Sequence, residues 1–162
     1  MANCRRIDAV KVEHASLDDP DVRALIAYHQ RDMHRISPPG TSWALDIAGL
    51  SGPDTTVLGA WNSTALMGIG AMKRLGNDSV ELKSMRTLPD HLGKGVAKAI
   101  LEELLQICRN EGFSRVSLET GTSEEFLPAI TLYRRRGFMP GEAFSQYENG
   151  LHNQCYHLDL VD

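Results

Sequence analysis

The residues with the most to offer chemically are His91-Leu92-Gly93-Lys94-Gly95-Val96-Ala97-Lys98. Two glycines separated by one residue let a backbone turn tightly and approach a ligand closely. The apolar residues that follow have helical spacing, so the loop's N–H groups point out of a helix N-terminus. There the dipole favours an anion such as a pyrophosphate. The pattern is not a Walker A loop, which needs glycine at Leu88 and Ser or Thr at Gly95. Nor is it the dinucleotide fingerprint, because the sixth position is Lys98 and the strands before it read as antiparallel. The plain alternative is a glycine-rich turn that only opens a helix. Metal chemistry lacks a ligand set: no cysteine or carboxylate completes the pairs His29/His34 or His152/His157. Cys4, Cys108 and Cys155 have no CxxC spacing, which disfavours zinc and a disulfide framework.

The elements around the loop follow from periodicity. Residues 6–13 alternate weakly (Ile7, Ala9, Val10, Val12) and predict a first strand. Asp19-Pro20-Asp21 is a helix start, and Val22, Leu25, Ile26, Met33 and Ile36 recur behind it at helical spacing. Ser37-Pro38-Pro39-Gly40 ends that helix, because a residue before proline avoids the helical region. A short helix is expected from about Trp43 to Leu50, capped by Thr41 or Ser42. Thr55–Trp61, Ala65–Leu75 and Ser79–Leu88 read as three strands. Asn62-Ser63 and Gly76-Asn77-Asp78 separate them with turn chemistry, which implies antiparallel hairpins. Val96, Ile100, Leu104 and Ile107 mark one amphipathic helix that Gly112 caps. Val116–Glu119 is a strand, Phe126–Arg136 a helix stopped by Gly137, and Cys155–Leu160 a last strand. The order predicts an α/β fold of the α+β type in a single domain, 1–162. Its central sheet is mixed and mostly antiparallel, of six or seven strands, with helices on both faces.

Two segments then carry a resemblance. Leu92-Gly93-Lys94-Gly95-Val96-Ala97 resembles the Q/R-x-x-G-x-G/A acetyl-CoA loop of the GNAT superfamily of N-acetyltransferases. Pro128-Ala129-Ile130-Thr131-Leu132-Tyr133-Arg134-Arg135-Arg136-Gly137-Phe138 resembles the second family signature, a helix reading x-A-x-x-L-Y-x-x-x-G-F. The element order fits that fold over nearly the whole chain. Two positions depart from the pattern: Leu92 stands where Arg or Gln is usual, and Pro128 where many members have Asn.

The resemblance implies a division of labour. Leu92, Gly93, Lys94, Gly95, Val96, Ala97 and Lys98 would hold the phosphates of acetyl-CoA. Met85 and Thr87 would offer strand backbone to its pantetheine arm, and an N–H near Met85 would stabilise the carbonyl oxygen as it gains charge. Tyr133 would sit near the cofactor sulfur as general acid, since a phenol of pKa near 10 stays protonated at neutral pH. Glu81 aligns with the glutamate used as base in the histone-modifying branch. Strand alternation puts it on the same face as Met85 and Thr87; its plain alternative is a surface glutamate paired with Lys83. Glu119 is a weaker candidate base. The acceptor side falls on the first two helices and their linker, where His34, Ser37 and Trp43 are the candidate substrate residues. Arg31, Arg35, Tyr147 and His152 lie nearby in the expected layout.

Composition bounds the rest. The 162 residues are 42% hydrophobic and 23% charged with net charge −4, which suits a folded domain and gives no nucleic-acid footprint. No apolar run reaches membrane-span length and the first residues hold no apolar signal segment, so the expectation is a cytoplasmic protein with no membrane partner. The expected activity is acetyl transfer from acetyl-CoA to a primary amine of a small molecule or amino acid-like substrate, by direct attack in a ternary complex. A non-catalytic acyl-CoA sensor of the same fold and a protein or peptide acetyltransferase are the alternatives. Dimers are common in the family, and the sequence leaves a homodimer open.

Overall fold

The computed structural model describes residues 9–76 and 78–160. In chain order the elements are β1 (Lys11–His14), α1 (Pro20–Ile36), α2 (Ile47–Leu50), β2 (Thr55–Trp61), β3 (Leu66–Arg74) and β4 (Ser79–Thr87). Then come α3 (Val96–Asn110), β5 (Arg115–Gly121), α4 (Leu127–Arg136), β6 (Met139–Pro140) and β7 (Asn153–Asp159). One seven-stranded sheet has the order β1-β2-β3-β4-β5-β7-β6. Only β4 and β5 pair in parallel, because α3 crosses between them. This is the mixed, mostly antiparallel sheet expected from the sequence.

Helix α1 starts where a side chain can satisfy its first N–H groups. The Asp19 carboxylate accepts a hydrogen bond from the Asp21 N–H at 2.8 Å, and Pro20 fills the first turn of α1. The apolar stripe of α1 (Val22, Leu25, Ile26) packs with Leu50, Val57, Leu66, Ile69 and Ala71 on one face of the sheet. On the other face α3 buries Val96, Ile100, Leu101, Leu104, Leu105 and Cys108, joined by Tyr133 of α4 and by Phe138. At Gly68 on β3 a Cβ would lie 2.8 Å from Val96 and 2.9 Å from the Arg86 carbonyl oxygen, so glycine there sets how closely α3 docks.

Several boundaries differ from expectation. The short helix runs only Ile47–Leu50, and its cap is Asp46, whose carboxylate accepts from the Gly49 N–H at 2.9 Å. Thr41 instead donates its hydroxyl to the Pro38 carbonyl at 2.6 Å, closing the turn after α1. β7 begins two residues before Cys155, and β6 is an added edge strand. Residues 6–8 of the first predicted strand lie outside the described residues, as do Asn77 and Cys4.

The larger correction concerns β4. Ala71 pairs with Lys83, yet Ile69 pairs with Arg86, so β4 carries one extra residue. Ser84 absorbs it with φ of 56°, in the left-handed region. Side-chain alternation therefore changes parity along the strand. Leu82, Met85 and Thr87 face α3, whereas Glu81, Lys83 and Arg86 face α1. Glu81 does not share a face with Met85 and Thr87.

Candidate active site

The bulge coincides with a parting of the sheet. β4 and β5 pair only at Ser79–Glu81 with Arg115–Ser117. Beyond that the strands diverge, and residues 82–87 have no partner strand on their β5 side. The gap opens into a cleft of about 1310 Å³ that reaches from α1 and the 37–44 linker to the N-terminus of α3 and the side of α4.

Of the residues singled out by sequence, the cleft brings together Glu81, Met85, Thr87, Leu92, Gly93, Gly95, Val96, Ala97, Lys98, Tyr133, Ser37 and Trp43. Lys94 and His34 do not line it; Lys94 instead lies 3.5 Å from His91. Arg35, Tyr147, His152 and Glu119 do line it, and Arg31 does not.

At one end, Gly93 and Gly95 have φ of 74° and 77° with open space around each, so conformation rather than room requires glycine. Gly95 caps α3 without a side-chain hydrogen bond, and the first helical bond runs from the Ala99 N–H to the Gly95 carbonyl. The amides of Val96, Ala97 and Lys98 thus have no partner within the helix and face the cleft mouth. This is a fitting cradle for a phosphate-bearing ligand. Leu92, 65% exposed, adds apolar surface rather than charge beside it.

At the middle, Tyr133 is the buried residue of α4. The local sequence explains why it is held so firmly. Gly137 ends the helix at φ of 110°, and the next N–H, that of Phe138, bonds the Tyr133 carbonyl at 3.0 Å. The Phe138 ring is fully buried with its edge against Tyr133, centroids 5.6 Å apart. Burial pushes the Tyr133 phenol well above its ordinary pKa, so it keeps its proton.

The α1 side holds a polar cluster. Lys83 donates to Glu81 Oε1 at 3.0 Å and to the Tyr147 hydroxyl at 2.7 Å, while that hydroxyl donates to Glu81. Glu81 is paired with Lys83 as one reading expected, but deeply buried rather than on the surface. Trp43 meets the Tyr147 ring edge-on at 5.6 Å. Glu119 comes from β5 into the same cluster. It makes no hydrogen bond or ion pair among the described residues, and burial pushes its carboxyl up to about 7, with Lys83 opposing and Glu81 reinforcing the shift.

Sequence reading missed the importance of Tyr147, Ser84 and Arg86. A signal was present: the apolar residues on β4 fall at even positions (Val80, Leu82) and then at an odd one (Met85), which betrays an inserted residue. The partnership of Tyr147 with a residue far away in sequence left no such mark.

Comparison with known proteins gives a consistent result. The model of the acetyltransferase (GNAT) family matches residues 21–138. The chain is 42% identical over 146 residues to the uncharacterized N-acetyltransferase YedL of Escherichia coli (strain K12), covering 90% of this chain and 92% of that one. It is 40% identical over 137 residues to the uncharacterized N-acetyltransferase YsnE of Bacillus subtilis (strain 168), covering 83% and 91%. The fold superimposes on yncA from Salmonella typhimurium, solved with its cofactor acetyl-CoA, with a TM-score of 0.72 at 16% identity and 95% of each chain covered.

Proposed function

Because the chain belongs to the GNAT family of N-acetyltransferases, whose acyl donor is acetyl-CoA, we propose that it acetylates the primary amine of a small molecule by direct attack in a ternary complex. The observation that carries this reading is a single cleft joining an anion cradle, a protonated phenol and a carboxyl that titrates near neutrality. The donor contributes an activated acyl thioester. The chain's own residues do the rest.

The amides of Val96, Ala97 and Lys98 and the turn at Gly93–Gly95 hold the phosphates, with Lys98 adding charge. The unpaired edge of β4 at Met85 and Thr87 binds the extended arm as an added strand would. A backbone N–H near Met85 steadies the carbonyl oxygen. Tyr133 reaches the cleft from the α4 side and holds the proton that a departing thiolate needs.

The base is assigned to Glu119. Glu81 is already engaged by Lys83 and Tyr147, and its side chain is 5% exposed. Glu119 is unengaged and its pKa of about 7 suits proton abstraction near neutrality. Trp43 and Ser37 border the acceptor space on the α1 side, which also supports a small substrate rather than a long peptide.

The test is release of free thiol from acetyl-CoA across a panel of amines. Turnover with at least one amine supports the reading. Stabilisation of the fold by acetyl-CoA with no turnover across the panel supports a sensor instead.

A further inference from the structure

Arg86 is a cation on the acceptor side that is fixed in place and still offers one whole nitrogen as a donor. Its Nε donates to His29 Nδ1 at 2.9 Å, its Nη1 meets Asp32 Oδ2 at 2.9 Å, and its guanidinium lies 5.5 Å from the Tyr28 ring centroid. Its Nη2 makes no hydrogen bond among the described residues, and the side chain, 18% exposed, lines the cleft. Two neighbouring cations are already engaged. Lys83 is held by Glu81 and Tyr147. Arg35 places both Nε and Nη2 on Asp32 Oδ1 and is mostly in solvent, facing Glu125 at the rim.

The charge count favours an anion at this point. The single Asp32 carboxylate serves two guanidiniums, and His29 is held neutral by burial and by Arg86 itself, its pKa pushed down to about 4. A neutral His29 accepts from Arg86 without opposing its charge, so the carboxylate that does oppose it, Asp32, is shared with Arg35. The bulge matters here as well. Arg86 directly follows Met85, yet the two side chains leave β4 on opposite faces. A carboxylate on Arg86 therefore lies on the face opposite the donor's arm, within a residue of where the acyl group would be presented.

We infer that Arg86 is the carboxylate anchor of the acceptor pocket, and that the acceptor is an amino acid or a similarly compact amino carboxylate rather than a simple amine. This rests on the acetyl-transfer reading above. The carboxylate accepts from Nη2, a charge-assisted bond in a partly desolvated pocket, and the amine is left pointing toward the strand gap.

The experiment compares amino acids with their primary amides, which keep the amine and lose the anion. In the wild type kcat/KM is higher for the acid than for the amide of at least one pair, by about tenfold or more. In Arg86→Gln that ratio falls toward one, and in Arg86→Lys, which keeps the charge, part of it returns. If Arg86 only pins α1 to β4, the variants lower acid and amide by the same factor and the ratio holds, which overturns the inference. Turnover of amines with no acid preference in the wild type overturns it too, while leaving acetyl transfer intact. Carboxylate-dependent stabilisation of the wild-type CoA complex, absent with the amides and lost in Arg86→Gln, supports the anchor even where no turnover is found. Turnover of amines with neither turnover nor such stabilisation for any amino carboxylate overturns the anchor alone, whereas no turnover of any amine, acid or amide, with no such stabilisation, overturns both readings.

Discussion

At the scale of single residues, two carboxylates of one polar cluster are left in opposite states by their surroundings. Glu81 has a buried ammonium and a phenol to satisfy it; Glu119 has only loss of water, the attraction of Lys83 and the smaller repulsion of Glu81. Substituting each separates the roles. Glu119→Gln is expected to lower kcat by about a hundredfold and to remove an acidic limb of kcat/KM centred near pH 7, measured in steady-state pH profiles. Glu81→Gln leaves Lys83 buried without its counter-charge and should destabilise the fold by about 3 kcal/mol in denaturant titration, while the limb near neutrality persists. Tyr133→Phe keeps the ring packed on Phe138 and removes only the hydroxyl. It should lower kcat by roughly a hundredfold with the fold intact, checked by thiol release alongside thermal unfolding.

At the scale of elements, the cleft opens where β4 stops pairing with β5, at Glu81, ahead of the bulge at Ser84. Gly68 and the loop at Gly93–Gly95 then set α3 against that opening. Gly95→Ala forces an L side chain to φ of 77° and should cost about 1 kcal/mol. Because the strained residue caps α3, the KM for acetyl-CoA should rise more than kcat falls. Steady-state kinetics with the acceptor saturating would check this, and a fall in kcat alone would count against the cradle. These elements also mark how far the sequence could be read. The spans of α1, β2 and α3 were visible because their apolar spacing and end signals agree: Asp19-Pro20 opens α1, and Gly95 and Gly112 bracket α3. The glycine turn ahead of α3 and the position of Tyr133 on α4 were legible for the same reason, since each is a local motif. The face assignment of Glu81 failed because strict alternation cannot survive an inserted residue. The surroundings of Glu119 could not be read, because nothing local to β5 records that Lys83 and Tyr147, brought in from β4 and the loop before β7, engage Glu81 and leave Glu119 without a hydrogen bond among the described residues. Helix α2 was overextended for lack of any competing signal before Asp46, whose capping bond to Gly49 is what fixes its start.

At the scale of the whole molecule, two buried groups on the α1 side of the sheet have titrations that oppose each other. Glu119 has its folded pKa raised from 4.5 to about 7, so the folded state holds a proton that the unfolded chain has lost; stability falls as pH rises through that interval. His29 has its folded pKa lowered from 6.5 to about 4, so the unfolded chain holds the extra proton and stability rises with pH across its own interval. Between about 4.5 and 6.5 the two slopes have opposite sign and similar size, and the wild type should show a nearly flat stability there. The acid-strengthened carboxylates Asp32, Glu111 and Glu142 lose their contribution only below that window, since their folded pKa values lie under the ordinary range. Removing one partner exposes the other. His29→Gln retains an acceptor for Arg86 but not the titration, and its stability should decline with rising pH, by on the order of 2–3 kcal/mol through the Glu119 interval. Glu119→Gln should show the mirror slope, rising by a similar amount from about pH 4 to 6.5. The double variant should be flat again, because the two groups share no bonded partner and their effects should add. Urea unfolding of the four proteins at half-unit steps of pH measures all of this, and parallel curves for wild type and both single variants would show that neither burial shift is present.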